Sequence, residues 1–377
     1  MKISYRTLNI PLKHSFKHAS AERSVGSSIW LEAIDGEAIG LGEGCPRPYV
    51  TGETEQSVMS WLTEFQPELQ SLTSLAELQS FISQHANSID KNPSAFCAFE
   101  LAALDLFAQK ANVSVEELVG QSFPPKGTFQ YTAVISDGTE EKFLKTIQQF
   151  LFVGFTDFKF KVSGDLELDQ KRFAVFRGLL KADVAAKIRV RIDANNLWNS
   201  ADEAITYLKA LDVKLFAVEE PLQSKLPEEL SRVSVETGLA IILDECLVKP
   251  QDVLTFAALP GRWIGNVRVS KNGGVLRAIK ISQSLVSHKM GLIIGAQVGE
   301  TSVLSRAAMT VAEVLRGHVL AQEGAFGNLL IEEDPVEPSI VFGPAGVLDV
   351  HLMAEYDETR IGMQGWGLRK TSEALTT

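Results

Sequence analysis

Phe158-Lys159-Phe160-Lys161 alternates two aromatic rings with two ammonium groups. On a β-strand, side chains at i and i+2 share a face, so both lysines point one way and both phenylalanines the other. A Lys-x-Lys strand is ordinarily an exposed edge. Here it sits among short apolar runs separated by longer amphipathic ones, the pattern of a parallel sheet covered on both faces. Two cations on one face of such a strand require a functional reason. Residues i and i+2 stand about 6.6 Å apart, and at an effective dielectric of about 20 their charges repel by about 2.5 kcal/mol. That repulsion, with burial, is expected to lower the Lys161 pKa and make a neutral amine available near neutral pH.

Working outward, strands are expected at 131–135, 157–161, 188–193, 215–219, 240–244, 263–269, 292–295 and 317–320. Helical patterns at 166–180, 200–211 and 275–289 are long enough to cross back to a parallel neighbour. Eight such units point to a closed barrel. The earlier part of the chain reads differently, with a strand-like run at 28–34, the turn Asp35-Gly36 and a Gly- and Pro-rich loop from Gly42 to Tyr49. Helical spacing begins at 54–65, and the small, apolar segment 94–111 reads as a buried helix. Phe123-Pro124-Pro125-Lys126-Gly127 cannot continue a helix and marks the junction. The expected domains are residues 1–126, a barrel at 127–328, and a segment 329–377 that returns to the first domain.

Asp193, Glu219, Asp244 and Lys271 follow at intervals of about 26 residues, one strand-helix unit each in a barrel of about 250 residues. Such spacing delivers them to the carboxyl ends of consecutive strands, where barrel enzymes keep their catalytic groups. Singly, each acid reads more readily as a helix cap or a solvated charge, as in Asp193-Ala194-Asn195, Glu219-Glu220-Pro221 and Asp244-Glu245. Jointly, three carboxylates without cysteine or histidine favour a hard ion, Mg²⁺, with Mn²⁺ as a workable substitute. A carboxylate substrate chelating that ion has its α-proton acidified, with an enediolate as the product of deprotonation. Lys161 and Lys271, on different strands, would then remove and return the proton or protonate a leaving group.

Composition narrows the partners. The chain has 377 residues and a formal net charge of −11, which argues against nucleic acid or an anionic membrane surface. The first sixteen residues lack the apolar core of a signal peptide, and no stretch reaches the length of a membrane span. Three widely spaced cysteines, Cys45, Cys97 and Cys246, form neither a disulfide framework nor a zinc site, so a reducing cytoplasm is expected.

Taken together, these motifs resemble the enolase superfamily, in the muconate-lactonizing-enzyme subgroup that includes dipeptide epimerases, N-acylamino-acid racemases and o-succinylbenzoate synthases. The resemblance covers nearly the whole chain and implies an α/β fold. That fold is a modified (β/α)7β TIM-type barrel with an α+β capping domain built from the N-terminal part and the C-terminal segment. It implies that Lys161, the second lysine of Lys159-Phe160-Lys161, is a base, that Asp193, Glu219 and Asp244 hold Mg²⁺, and that Lys271, before Asn272-Gly273-Gly274, opposes Lys161. Lys159 and Asn195 are expected beside the substrate carboxylate. Capping loops are implied at Gly40-Leu41-Gly42-Glu43-Gly44 with 49–54, and at 16–24, which makes His18, Arg23 and Tyr49 candidate substrate contacts.

Glu300 resembles the acid that follows the seventh strand in several members, with three roles open to it: orienting substrate, bonding a lysine, or capping the helix at 303–315. The mandelate-racemase branch is disfavoured, because Leu292-Ile293-Ile294-Gly295-Ala296 offers no histidine at its seventh strand. The Asp-x-Asp of dipeptide epimerases is also missing, since Ala321-Gln322-Glu323-Gly324-Ala325 stands there. The implied activity is racemisation or epimerisation of a small carboxylate such as an amino-acid derivative. Cycloisomerisation or β-elimination is the alternative, and a non-catalytic binding protein a minor one. A closed homo-oligomer is expected.

Overall fold

The computed structural model describes residues 1–18, 21–120, 127–136, 138–350 and 364–371, with only the backbone described at 14–18, 21–23 and 183. The proposed junction, Phe123 to Lys126, therefore lies outside the described residues.

Eight parallel strands are hydrogen-bonded in sequence order: Ala133–Ile135, Asp157–Lys161, Arg189–Asp193, Ala217–Glu219, Ala240–Leu243, Trp263–Val267, Gly291–Ile294 and Val319–Gln322. The last closes on the first, because Tyr131 bridges Gln322 in parallel and the Thr132 N–H donates to Gln322 O at 2.8 Å. Phe158 and Phe160 pack against the helix Leu166–Leu179, with ring centroids 5.2 Å (Phe158–Phe176) and 5.0 Å (Phe160–Phe173) apart. Strand alternation then leaves Lys159 and Lys161 facing the barrel interior.

The eighth strand lies two residues later than the expected 317–320. Gly317, at φ +90°, belongs to the turn after the helix Ser302–Val314, and pairing with the seventh strand begins only at Val319. The shift matters, because it makes Glu323 the first residue past the carboxyl end.

The N-terminal part forms an antiparallel sheet of Lys2–His18, Ala21–Asp35 and Ala38–Gly44. The expected loop at 16–24 is thus strand where it is described, and the other is strand only to Gly44, with residues 45–54 in turn and irregular backbone. At 16–24 the backbone pairs Phe16 with Arg23 and His18 with Ala21, with residues 19–20 outside the described set. Gly40-Leu41-Gly42-Glu43-Gly44 is the third strand, and its glycines serve packing. A Cβ at Gly40, Gly42 or Gly44 would lie 2.0 Å from the carbonyl oxygens of Ala102, Ala98 and Ser94 respectively, so the helix Pro93–Ala111 rides directly on the strand backbone. The C-terminal segment docks on the same helix, where the Trp366 N–H donates to Asp105 at 2.8 Å and its indole N–H to Leu101 O at 3.1 Å.

Buried carboxylates hold the sheet and its helix to the barrel. Glu43 accepts from the Thr301 N–H at 3.0 Å and its hydroxyl at 2.6 Å, and Glu100 from the N–H groups of Val275 and Leu276. Burial pushes the carboxyls of Glu43 and Glu100 up to about 7 and about 8. An acid whose folded pKa is raised binds a proton that the unfolded chain has already lost, so its contribution is present below about pH 4.5 and is lost as pH rises through 7 to 8. The thermal midpoint is expected to be about 5 °C higher at pH 6 than at pH 8.5 by scanning calorimetry. Equal midpoints would show that these carboxyls are ionised throughout.

Candidate active site

A cavity of about 270 Å³ opens at the carboxyl ends of the strands, lined among others by Lys159, Lys161, Asp193, Asp244, Arg268 and Glu323. Asp193 and Glu219 end neighbouring strands and are paired in register, while Asp244 follows the next strand. All three are buried. Asp193 Oδ1 accepts from the Asn195 backbone N–H at 3.0 Å and from its side-chain amide at 2.7 Å. Glu219 Oε1 accepts from the Asn266 amide at 3.1 Å. Asp244 meets the guanidinium of Arg268 on one oxygen and the ammonium of Lys271, at 3.0 Å, on the other. Burial opposes ionisation of Asp244, but Arg268 and Lys271 outweigh it and hold its carboxyl down at about 2.

Among the described residues, no three His, Cys, Asp or Glu side chains converge closely enough to hold an ion as they stand. The Lys159 ammonium lies between the acids instead, 2.7 Å from Glu219 Oε2, 3.3 Å from Asp193 Oδ2 and 3.2 Å from Glu323 Oε2. Glu219 Oε2 is buried and, despite this ion pair, has no hydrogen bond of good geometry. An oxygen-only set with such an orphaned atom, already gathered around one positive charge, fits a hard divalent cation.

Burial opposes charge on Lys159, yet Glu219, Glu323 and Asp193 more than offset it and raise its pKa. Lys161 differs. Burial lowers its pKa, Asp193 works the other way, and Lys159 adds a smaller push down. Burial therefore leads where repulsion from Lys159 was expected to, because three carboxylates surround the Lys159 charge. The Lys161 ammonium donates to Asn195 Oδ1 at 3.0 Å, so Asn195, held at φ +46°, links the lysine to Asp193.

Lys271 does not line this cavity. It is fully buried, and its ammonium donates to Asp244 O at 2.6 Å, Asn266 O at 2.7 Å and Asp244 Oδ1 at 3.0 Å. The residue that does line it is Arg268, the first after the sixth strand. Lys271 lies three residues further on, in a turn that Gly273 and Gly274 carry through positive φ.

Arg268 and Glu323 were both missed by sequence reasoning. The available signal was positional, since each directly follows a strand end, as Lys161, Asp193 and Glu219 directly end theirs. Glu300 and Tyr49 line the cavity. Glu300 accepts from the Gln297 N–H at 2.8 Å, and burial pushes its carboxyl up to about 8. The helix cap is Thr301 rather than Glu300. The side chains of His18 and Arg23 lie outside the described residues.

A closed parallel barrel with a packed antiparallel sheet, and with a lysine and carboxylates gathered at its carboxyl ends, defines a barrel enzyme. Residues 142–349 match the family described as Enolase C-terminal domain-like, and the chain belongs to that family. It is 26% identical over 310 residues to the N-succinyl-L-Arg/Lys racemase of Bacillus cereus, covering 81% of each chain. It is 27% identical over 347 residues to the hydrophobic dipeptide epimerase of Enterococcus faecalis, covering 89% of this chain and 92% of that one. The crystal structure of the Bacillus cereus racemase superposes with a TM-score of 0.83 at 22% identity, over 99% of this chain and 97% of that one. The Enterococcus faecalis dipeptide epimerase complexed with Mg and the dipeptide L-Leu-L-Tyr superposes with a TM-score of 0.78 at 24% identity, over 97% and 98%. Both relatives are isomerases by name. Among the described residues, no helix is long and apolar enough to cross a membrane.

Proposed function

We propose that this enzyme takes the proton from the carbon next to the carboxylate of a small amino-acid derivative and returns it, racemising or epimerising that centre with Mg²⁺ as cofactor and Mn²⁺ as a substitute. The observation that carries this reading is Lys161, a cavity-lining amine whose pKa burial lowers, held by Asn195 beside the acids. Asp193, Glu219 and Asp244 would hold the ion. When bound, it supplies Lewis-acid stabilisation of the charge that builds on the substrate carboxylate.

The chain's own residues do the rest. Lys161 takes the proton from one face, with Asn195 Oδ1 fixing the direction of its amine, and Lys271, on leaving Asp244 and Asn266, would deliver a proton to the opposite face. Lys159, kept charged, offers an ammonium to the carboxylate. Arg268 presents a guanidinium that stays protonated and cannot serve as a base, so its part is electrostatic. The names of the relatives support racemisation or epimerisation.

A second reading, cycloisomerisation or β-elimination, is favoured by the placement of Lys271 away from the cavity, because those reactions begin with a single base. Incubating N-acylated amino acids, dipeptides and other small carboxylates with Mg²⁺ in D₂O separates the two. Deuterium at the α-carbon with loss of optical purity, abolished by a chelator, is the expected result. Ring closure or loss of a leaving group without scrambling would replace it with the second reading. No exchange across the panel would leave a binding protein.

A further inference from the structure

A line of buried charge crosses the barrel interior, and the proposed chemistry uses only one end of it. Arg191, on the third strand, is completely buried. Its guanidinium donates to Asp157 Oδ1 at 2.5 Å, to Thr132 Oγ1 at 3.0 Å and to Glu323 Oε1 at 2.9 Å. The other oxygen of Glu323 lies 3.2 Å from the Lys159 ammonium, which also touches Glu219 and Asp193. Lys159 is therefore shared between two anionic seats. One consists of acids suited to a metal, and the other is Glu323, which Arg191 keeps from following the ammonium.

A divalent cation entering among Asp193, Glu219 and Asp244 repels the ammonium, and a buried ammonium needs a carboxylate partner wherever it goes. We propose that Glu323, braced by Arg191, is the positioning residue that receives the Lys159 ammonium when a divalent cation takes up Asp193, Glu219 and Asp244, and so fixes where Lys159 meets the substrate carboxylate. This rests on the metal assignment of the proposed function. Without Glu323, Lys159 stays in the acid cluster and competes with the ion.

The test is a double-mutant cycle read as Mg²⁺ affinity by titration calorimetry on the full chain, so no substrate is needed. Glu323→Gln is expected to weaken Mg²⁺ binding about tenfold. Lys159→Met is expected to tighten it. Adding Glu323→Gln to Lys159→Met should then change affinity less than about twofold, because the competitor is gone. Equal losses in both backgrounds would mean that Glu323 acts through its charge alone, and would overturn the proposal. Should Glu323→Gln not fold, Arg191→Lys provides the second arm. It keeps a cation but loses the two-armed grip, and is expected to weaken Mg²⁺ binding only when Lys159 is present; unchanged affinity overturns the proposal. No Mg²⁺ binding to either wild type or Lys159→Met defeats the metal assignment itself, an outcome distinct from binding without coupling.

Discussion

Replacing Lys161 by methionine should lower the rate of α-proton exchange by about 10²- to 10⁴-fold, the usual worth of a positioned general base, while leaving the fold and Mg²⁺ affinity intact. Methionine matches the length and apolar stem of lysine, so the neighbours of the side chain keep their packing. What disappears is a cavity-lining amine whose pKa is lowered, chiefly by burial. Lys159 cannot substitute, because Glu219, Glu323 and Asp193 keep it protonated, and a protonated amine accepts nothing. Lys161→Arg should be equally inactive, since guanidinium keeps the charge without offering a base. The measurement is deuterium incorporation at the α-carbon by NMR, with calorimetry of Mg²⁺ binding as the control. Wild-type exchange in Lys161→Met would remove Lys161 from the mechanism. Loss of exchange together with loss of Mg²⁺ binding would point instead to a disturbed acid cluster.

The barrel was legible because six of its eight strands are short runs ending in, or followed by, a charged residue, and because Phe158 and Phe160 needed a covering helix that Phe173 and Phe176 supply. Periodicity assigns a side chain to a face, and that sufficed for Lys159, Lys161, Asp193 and Glu219, which lie on strands. It carries no information about the turn that follows a strand. Arg268 and Lys271 both lie in one such turn, and only its path, through two glycines at positive φ, decides which of them lines the cavity. Glu323 was hidden for a related reason. A glycine at 317 reads equally well as the start of a strand or the end of a turn, and a two-residue error there moved the acid off the rim. The glycines at 40, 42 and 44 read as a flexible loop because the helix that requires them, Pro93–Ala111, lies some fifty residues away. Contacts remote in sequence leave no local trace.

Lys271→Met should destabilise the fold by about 3–5 kcal/mol, the range for breaking a buried pair by deleting one partner. The ammonium is fully buried and meets three acceptors, Asp244 O, Asn266 O and Asp244 Oδ1, at 2.6, 2.7 and 3.0 Å. Methionine restores the volume but leaves two buried carbonyl oxygens without this donor and a buried carboxylate with only Arg268. A shift of that size should appear as a lower denaturant midpoint at unchanged slope. Activity then separates position from chemistry. If Lys271 holds Asp244 in place, exchange falls for both enantiomers of a substrate together, and excess Mg²⁺ restores part of both. If it is instead the second base, exchange fails for one enantiomer only, with Mg²⁺ affinity unchanged. The three hydrogen bonds set the cost of the second role, since an ammonium held by three acceptors has to leave all of them to reach substrate.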